Sequence, residues 1–269
     1  MTDHSGDRWD LIISPWHLDE HIPGFPVPAS LIAAICPALP AAPTAARISL
    51  LHQAVAEAVA GASRPLLLSG DCPAARGAVA GLQRRHRDLA VVWLDAHGDF
   101  NTPAITTSGY LGGMALAMLT GRTPGLLGDE LGLRPVPETS VVLGGARDLD
   151  PAELVALGAS QVRRVPADPG LLSSALGGLG DIPVYLHLDI DVVDSADLPG
   201  LRFPSGPGPS LAQIEDCLAA VCATADVAGA GIACAWLPDH VGDPATREAI
   251  TRLARALGTD LEWHVPTGR

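Results

Sequence analysis

Short apolar runs alternate with longer Ala-rich segments along the whole chain. The runs LLL (66–68), AVVWL (90–94) and IPVYL (182–186) contain no polar residue. Such runs are typical of strands that are buried on both faces. The pattern predicts strands at residues 10–14, 65–69, 89–94, 140–143, 161–165, 183–188, 229–236 and 260–265.

The segments between these strands have the length and composition of helices. They are predicted at residues 44–61, 73–87, 111–119, 151–157, 169–176, 210–223 and 244–257. Pro73, Pro151 and Pro244 lie near first-turn positions, where a missing N–H costs nothing. Alternating helices and buried strands predict a parallel sheet covered by helices, either open or closed into a barrel. In both cases functional residues collect at the carboxyl ends of the strands.

Stretches rich in Pro and Gly occur at residues 23–43, 123–137 and 199–209. Each lies between elements of the same kind, so we interpret them as surface loops and not as linkers between domains. The sequence shows no internal repeat, and its 269 residues fit one large α/β domain. We therefore predict a single catalytic domain over residues 1–269.

Composition excludes several classes of protein. Thirty acidic residues against 17 basic ones give a net charge of −13, and every basic residue is Arg. This balance argues against partners such as nucleic acid or an anionic membrane. Five irregularly spaced Cys without a C-x-x-C indicate neither a disulfide framework nor a zinc ribbon. A polar N-terminus and the lack of an apolar run of roughly 18 residues predict a cytoplasmic protein.

The segment DAHGD follows a buried strand and carries Asp95, His97 and Asp99. Alternate residues of an extended chain point the same way, so these three side chains can converge. They could also form a turn that caps the next helix. Desolvated carboxylates without a positive partner are costly, however, so we expect a cation at this strand end.

Two more strand ends repeat this arrangement. HLDIDVVD places Asp189 and Asp191 on one face, and SGDC supplies Asp71 and Cys72. A single D-x-D motif is weak evidence, and an isolated Cys is more often a small buried hydrophobe. Two acidic clusters at strand ends, with Cys72 beside them, favour Mn²⁺ or Mg²⁺ and the activation of a water for hydrolysis.

In this order, SGDC, DAHGD and HLDIDVVDS resemble GGDH, DAHxD and SxDxDxxDP of the ureohydrolase family, which includes arginase and agmatinase. The resemblance runs from about Leu66 to Pro238. It implies a three-layer α/β/α fold with a mostly parallel eight-stranded sheet and two Mn²⁺ ions. The implied ligands of one ion are Cys72, Asp95, Asp99 and Asp189. Those of the other are Asp95, His97, Asp189 and Asp191, with Asp95 and Asp189 bridging.

Two further segments resemble arginases in particular. FNTPAITTSGY matches the arginase pattern xNTPxTTxSGN, and RDLDPAE matches RDVDPGE. The resemblance implies that Asn101 and Ser108 bind a substrate α-carboxylate, and that Asp150 and Glu153 receive the α-ammonium. The expected partner is thus a small guanidino amino acid. RDLDPAE also fits a helix N-terminus with acids near the dipole.

Three departures from the family pattern concern the other end of the substrate. Cys72 replaces a ligand His, Gly112 replaces the His proposed to shuttle protons, and Ala235 replaces the acid that pairs with the guanidinium. A hydroxylated guanidino group is a weaker base and needs that acid less. The pattern resembles hydroxyarginine amidinohydrolases of D-cycloserine biosynthesis, an antibiotic pathway.

The residues thus favour a modified guanidino group, and the resemblance implies hydrolysis of Nω-hydroxy-L-arginine to hydroxyurea and L-ornithine. The resemblance implies that hydroxide formed at the metal pair attacks the guanidino carbon, with Asp99 moving its proton. His187 and His240 are interpreted as ordinary core or surface residues. Alternatives are an arginase or another guanidino-acid ureohydrolase, a non-catalytic arginase-like binding protein and, remotely, a sugar-nucleotide enzyme. The short segment after Pro244 favours a monomer.

Overall fold

A parallel eight-stranded sheet forms the centre of the computed structural model, which describes residues 8–264. The strands are β1 (Asp10–Ser14), β2 (Trp16–His17), β3 (Glu20–His21), β4 (Leu31–Ala34), β5 (Pro65–Ser69), β6 (Ala90–Leu94), β7 (Val141–Gly144), β8 (Arg163–Val165), β9 (Val184–Asp189) and β10 (Val227–Ala233). The short strands β2 and β3 pair as an antiparallel hairpin, and the others join the sheet in the order β4-β1-β5-β10-β9-β6-β7-β8.

Helices cover both faces of the sheet. They are α1 (Thr44–Gly61), α2 (Ala75–Leu82), α3 (Ala115–Leu119), α4 (Pro151–Gly158), α5 (Pro169–Leu176), α6 (Leu211–Thr224) and α7 (Pro244–Ala256). Side chains of α1 to α4 share one hydrophobic core with the sheet, and those of α5 to α7 share another. Among residues 8–264, no helix combines the length and apolarity that a bilayer crossing requires.

The strand pattern explains why two cores form. In β6, Val91 and Trp93 face the core shared with α1 and α2, while Val92 and Leu94 face the core shared with α6. Successive side chains of a strand point to opposite faces. A strand that is apolar at every position is therefore buried on both sides, and the result is the predicted three-layer α/β/α fold.

The structure corrects two of the sequence predictions. The stretch 23–43, interpreted as a surface loop, contains the edge strand β4, which pairs with β1. The predicted strand at 260–265 is wrong: residues 260–264 form no strand, and Trp263 makes a single bridge to Pro28. Val265 lies outside the described residues. The hairpin of β2 and β3 was also absent from the predictions.

Candidate active site

The site lies where three neighbouring parts of the sheet end. Cys72 follows β5, Asp95 follows β6, and Asp189 is the last residue of β9. All strands of this sheet are parallel, so their carboxyl ends lie at one edge. Residues separated by more than a hundred positions in sequence are thereby brought into contact, as expected for this class of fold.

Two groups of side chains at this edge could each hold a metal ion. One contains Cys72, Asp95 and Asp99, and the other contains Asp95, His97 and Asp191, with ligand atoms within 4.8 Å of one another in each group. Asp95 belongs to both groups, as expected of a bridging ligand. Five of the six predicted ligands are thus brought together, and the sixth, Asp189, touches the first group.

Cys72 connects Asp189 to the cluster. Its thiol donates a hydrogen bond to Asp189 Oδ2 at 2.7 Å, and His187 Nε2 lies 3.2 Å from Cys72 Sγ. The other carboxylate oxygen of Asp189 accepts the Asp191 backbone N–H at 3.0 Å. Loss of the thiol proton would leave sulfur and Oδ2 together as two ligand atoms for a cation.

Asp95 and His97 are held in place by short local contacts. Trp93 Nε1 donates to Asp95 Oδ2 at 3.0 Å, and the His97 backbone N–H donates to Asp95 Oδ1 at 2.7 Å. His97 Nδ1 lies 3.4 Å from Asp95 Oδ1 and 3.2 Å from Asp191 Oδ2. The imidazole therefore faces both carboxylates through one nitrogen.

Asp99 adopts a backbone conformation with φ of 50°. This left-handed region is uncommon for residues other than glycine, although Asp tolerates it better than most. The side chain is buried, and its Oδ2 atom has no hydrogen-bond partner among the described residues. A desolvated oxygen without a donor is expensive, which is a reason to expect a positive partner at this atom.

Electrostatics lead to the same conclusion. Burial, reinforced by the neighbouring carboxylates, raises the pKa of Asp99 and Asp189 well above the usual range. Burial and the Asp95 carboxylate raise the pKa of Asp191 to about 6. Burial opposes protonation of His97, but its hydrogen bonds to Asp191 and Asp95 raise its pKa to about 12. Protons thus gather where a cation would neutralise the cluster, so these residues fit a metal centre.

A pocket of about 110 Å³ opens beside the cluster. It is lined by Cys72, His97, Asp99, Asp189 and Asp191, and by Asp71, Tyr110, Gly112, Gly113, Phe203 and Ala235. Asp71 is occupied structurally, because its carboxylate accepts the backbone N–H groups of Leu18 and Ala74. Carboxylates and two aromatic rings, Tyr110 and Phe203, therefore line the same pocket.

The residues predicted to bind the amino-acid end lie on the loop after β6 and at the start of α4. Asn101 Nδ2 donates to Asp150 Oδ2 at 3.2 Å, and the Asn101 Oδ1 atom is buried without a partner. Ser108 is exposed. The Glu153 carboxylate accepts the Phe100 backbone N–H at 2.8 Å and packs over Gly98. Contact between these residues and a substrate stays a prediction.

Three residues in or beside the pocket had no assigned part in the sequence predictions, namely His17, Tyr110 and Phe203. His17 and Phe203 lie in segments without a motif, and Tyr110 stands in the loop without a local signal of its own. His187 is fully buried at the strand end and its ring stacks on Trp93. His240 is half-buried beside Asp243.

Comparison with known proteins gives independent information. The sequence profile described as "Arginase family" matches residues 26–257. The chain is 34% identical over 149 residues to N(omega)-hydroxy-L-arginine amidinohydrolase of Streptomyces lavendulae, covering 55% of this chain and 53% of that protein. It is 34% identical over 153 residues to human arginase-1, covering 52% and 48% respectively. These alignments span about half the length of the curated relatives.

Solved structures match over a larger share. Arginase from Bacillus caldovelox superposes with a TM-score of 0.80 at 22% identity, covering 93% of this chain and 98% of that chain. Proclavaminate amidino hydrolase from Streptomyces clavuligerus superposes with a TM-score of 0.68 at 20% identity, covering 93% and 90%. The structural likeness confirms the predicted fold. Together with the profile match, which extends over most of the sequence, it confirms the family expected from the motifs: the chain belongs to the arginase family.

Proposed function

We propose that the protein is a binuclear manganese amidinohydrolase that hydrolyses Nω-hydroxy-L-arginine to hydroxyurea and L-ornithine. One observation carries the proposal. Two groups of side chains that could each hold a metal ion lie at a pocket that Tyr110, Phe203 and Ala235 also line. The chemistry for hydrolysis is thus present, while a carboxylate at position 235 for a cationic guanidinium is absent.

The proposed ligand sets add Asp189 to each of the two groups of side chains described above. Cys72, Asp95, Asp99 and Asp189 would hold one ion; Asp95, His97, Asp189 and Asp191 would hold the other. Carboxylate-rich sites with an imidazole suit Mn²⁺. When bound, the metal pair supplies positive charge that lowers the pKa of a water and polarises the guanidino carbon.

The amino-acid end of the substrate would be fixed outside the pocket. Asn101 and Ser108 supply amide and hydroxyl donors for an α-carboxylate, and Asp150 supplies negative charge for an α-ammonium. Asn101 Nδ2 donates to Asp150 Oδ2 at 3.2 Å, so the amide and this carboxylate lie side by side. Glu153 would add negative charge for the α-ammonium from a buried position, since its carboxylate accepts the Phe100 backbone N–H.

Asp99 is the proposed proton carrier. Its buried Oδ2 atom has no partner among the described residues. A carboxylate oxygen that is free in this way can accept a proton from the attacking water and deliver it to the leaving δ-nitrogen of ornithine. Cleavage of the bond between that nitrogen and the guanidino carbon releases hydroxyurea.

Charge near the pocket favours a weakly basic substrate. Arg202 lies close enough to lower the pKa of His17, behind the pocket, in addition to the effect of burial. A positive side chain near this end would repel a guanidinium more than an uncharged hydroxyguanidine. The amidinohydrolase relative, whose name specifies Nω-hydroxy-L-arginine, supports the same choice.

Steady-state kinetics of the Mn²⁺-loaded protein test the proposal. Hydroxyarginine and arginine are supplied separately, and ornithine is measured for both. We expect kcat/KM for hydroxyarginine to exceed that for arginine at least about tenfold, a difference of about 1.4 kcal/mol in transition-state binding. Equal or faster hydrolysis of arginine would instead identify an arginase, and hydrolysis of neither would refute the proposed activity.

A further inference from the structure

The phenol ring of Tyr110 covers Gly112 at the pocket. A Cβ atom on residue 112 would lie 2.6 Å from Tyr110 Oη and would also collide with the ring carbons. Any other residue at position 112 would therefore displace the tyrosine. The glycine that replaces the family's histidine creates the space in which Tyr110 lies.

Behind Tyr110 is a buried histidine. Tyr110 Oη lies 3.0 Å from His17 Nε2, and His17 Nδ1 lies 3.3 Å from the carbonyl oxygen of Gly70. His17 is 5% exposed and its ring is stacked with Tyr110 at a centroid distance of 5.8 Å. Phe203 lies 5.2 Å from Tyr110 between ring centroids and completes an aromatic cluster.

The direction of these hydrogen bonds follows from their partners. The Gly70 carbonyl can only accept, so Nδ1 of His17 carries the hydrogen. Burial and the nearby Arg202 lower the pKa of His17, which keeps the ring neutral and leaves Nε2 as an acceptor. The Tyr110 hydroxyl must then donate its hydrogen to His17. Its oxygen lone pairs remain for the pocket.

We propose that Tyr110 recognises the guanidino end of the substrate, with its hydroxyl oxygen accepting a hydrogen bond from a substrate N–H or O–H group and His17 as its positioning residue. This inference rests on the proposed function and names a specificity-determining group for it. The acceptor is uncharged, unlike a carboxylate. A cationic guanidinium binds an uncharged acceptor less strongly than it binds a carboxylate. An uncharged acceptor in place of a carboxylate therefore weakens the binding of arginine more than that of the weakly basic hydroxyguanidine.

Tyr110→Phe tests the contact, since it removes one oxygen and keeps the ring over Gly112. We expect KM for hydroxyarginine to rise about tenfold, equivalent to one lost hydrogen bond, with a smaller change in kcat. The preference for hydroxyarginine over arginine should fall. Tyr185→Phe is the matched control: Tyr185 is fully buried, does not line the pocket and has a hydroxyl without a partner among the described residues.

His17→Phe tests the positioning role, because it keeps an aromatic ring against Tyr110 and Phe203 but removes Nε2. The tyrosine hydrogen is then free to turn into the pocket. We expect a rise in KM of about threefold, less than for Tyr110→Phe. Raman spectra in a Tyr185→Phe background, in which Tyr110 is the remaining tyrosine, should show a change in the phenol hydrogen-bond signature when His17 is replaced.

Calorimetric binding of L-ornithine separates recognition from general damage. Ornithine lacks the guanidino group, so Tyr110→Phe should bind it as tightly as the wild type. An unchanged KM, or equal weakening of ornithine binding, would overturn the role of Tyr110. If the wild type hydrolyses neither substrate, the proposed function fails independently. Calorimetric titration of wild type and Tyr110→Phe with hydroxyarginine then decides whether the contact exists.

Discussion

Cys72 is the residue at which a single substitution should alter metal content most directly. Its thiol lies between Asp189 and His187 in the part of the cluster proposed to hold the first ion. Cys72→Ala removes a ligand, so we expect Mn²⁺ content after reconstitution to fall from about two ions per chain toward about one. Metal analysis after dialysis measures this change.

A second substitution at the same position completes this experiment. Cys72→His supplies a ligand of the type that the family uses and should restore metal content. Cys217→Ala is the matched control, because Cys217 is an equally buried thiol that lies on α6. If neither Cys72→Ala nor Cys72→His changes the metal content, Cys72 is a core residue and not a ligand.

Asp99→Asn should separate the chemistry of this position from its fold. Asn tolerates a positive φ about as well as Asp, so the backbone at φ of 50° can be retained. Loss of the carboxylate removes the proposed proton carrier, and kcat should fall about 10²–10⁴-fold. The melting temperature and kcat are measured together, with Asp181→Asn, an exposed site before β9, as control. Full activity of Asp99→Asn would contradict the assignment.

Elements differ in how well the sequence predicts them. β5, β6 and β9 are mostly apolar and are buried at every position, and their apolar runs marked both the strands and the ends at which the ligands gather. The motif spacing then predicted which side chains converge. Both inferences depend on local sequence and on one geometric rule about parallel strands, so they transfer directly to the structure.

The edge strand β4 shows where this reasoning fails. Its residues alternate between half-buried and exposed, and it lies within a proline-rich stretch. It pairs on one side only, and tertiary context overrides the local signal. Residues 260–264 show the opposite error. Their alternating apolar pattern predicts a strand, but they form only a single bridge. The contact of His17 with Tyr110 joins residues 93 positions apart and had no local signal.

β10 depends on small residues, and this can be tested. A Cβ atom on Gly231 would collide with Tyr185 Oη on the neighbouring strand β9. Gly231→Ala should therefore destabilise the protein by about 1–3 kcal/mol, the usual cost of overpacking. Chemical denaturation measures the difference. Tyr185→Phe removes the colliding oxygen and should recover part of the loss.

Gly61→Ala is the control for that experiment. Gly61 is the last residue of α1, and a Cβ atom there would meet no other atom within 4 Å. Its effect should be neutral or slightly stabilising, because alanine is the better helix former. Equal destabilisation by both substitutions would show that the space around Gly231 is not the reason.

At the scale of the whole molecule, the net charge of −13 is concentrated in part at one buried site. Burial raises the pKa of Asp71 to about 7, and burial with Asp95 raises that of Asp191 to about 6. In the unfolded chain both titrate near 3.8. Between these values the folded chain holds protons that the unfolded chain has lost, so stability decreases as pH rises.

The metal-free protein should therefore melt at a lower temperature at pH 7.5 than at pH 5. A loss of a few kcal/mol corresponds to several degrees, at roughly 2–4 °C per kcal/mol for a chain of this size. Burial opposes protonation of His97, but Asp191 and Asp95 raise its pKa to about 12. At pH values above the ordinary pKa of histidine, the folded chain therefore holds a proton that the unfolded chain has lost, and stability again decreases as pH rises. Calorimetric scans at a series of pH values measure the trend.

Saturating Mn²⁺ should remove or reverse this pH dependence. Ligands must be deprotonated to bind, so the metal stabilises the folded chain more as pH rises. NaCl at the same ionic strength serves as the control for general screening. A melting temperature of the metal-free protein that rises from pH 5 to 7.5 would refute the assigned pKa shifts.

The sheet order also determines when the site can form during folding. Cys72 and Asp189 are separated by 117 residues, and their strands become close through β10, which lies between β5 and β9 although it is last in sequence. Contacts of such long range close late, because the loop entropy must first be overcome. We therefore expect Mn²⁺ to slow unfolding and to leave the refolding rate nearly unchanged in stopped-flow experiments. The bound ions would then lengthen the lifetime of the folded protein without speeding its folding.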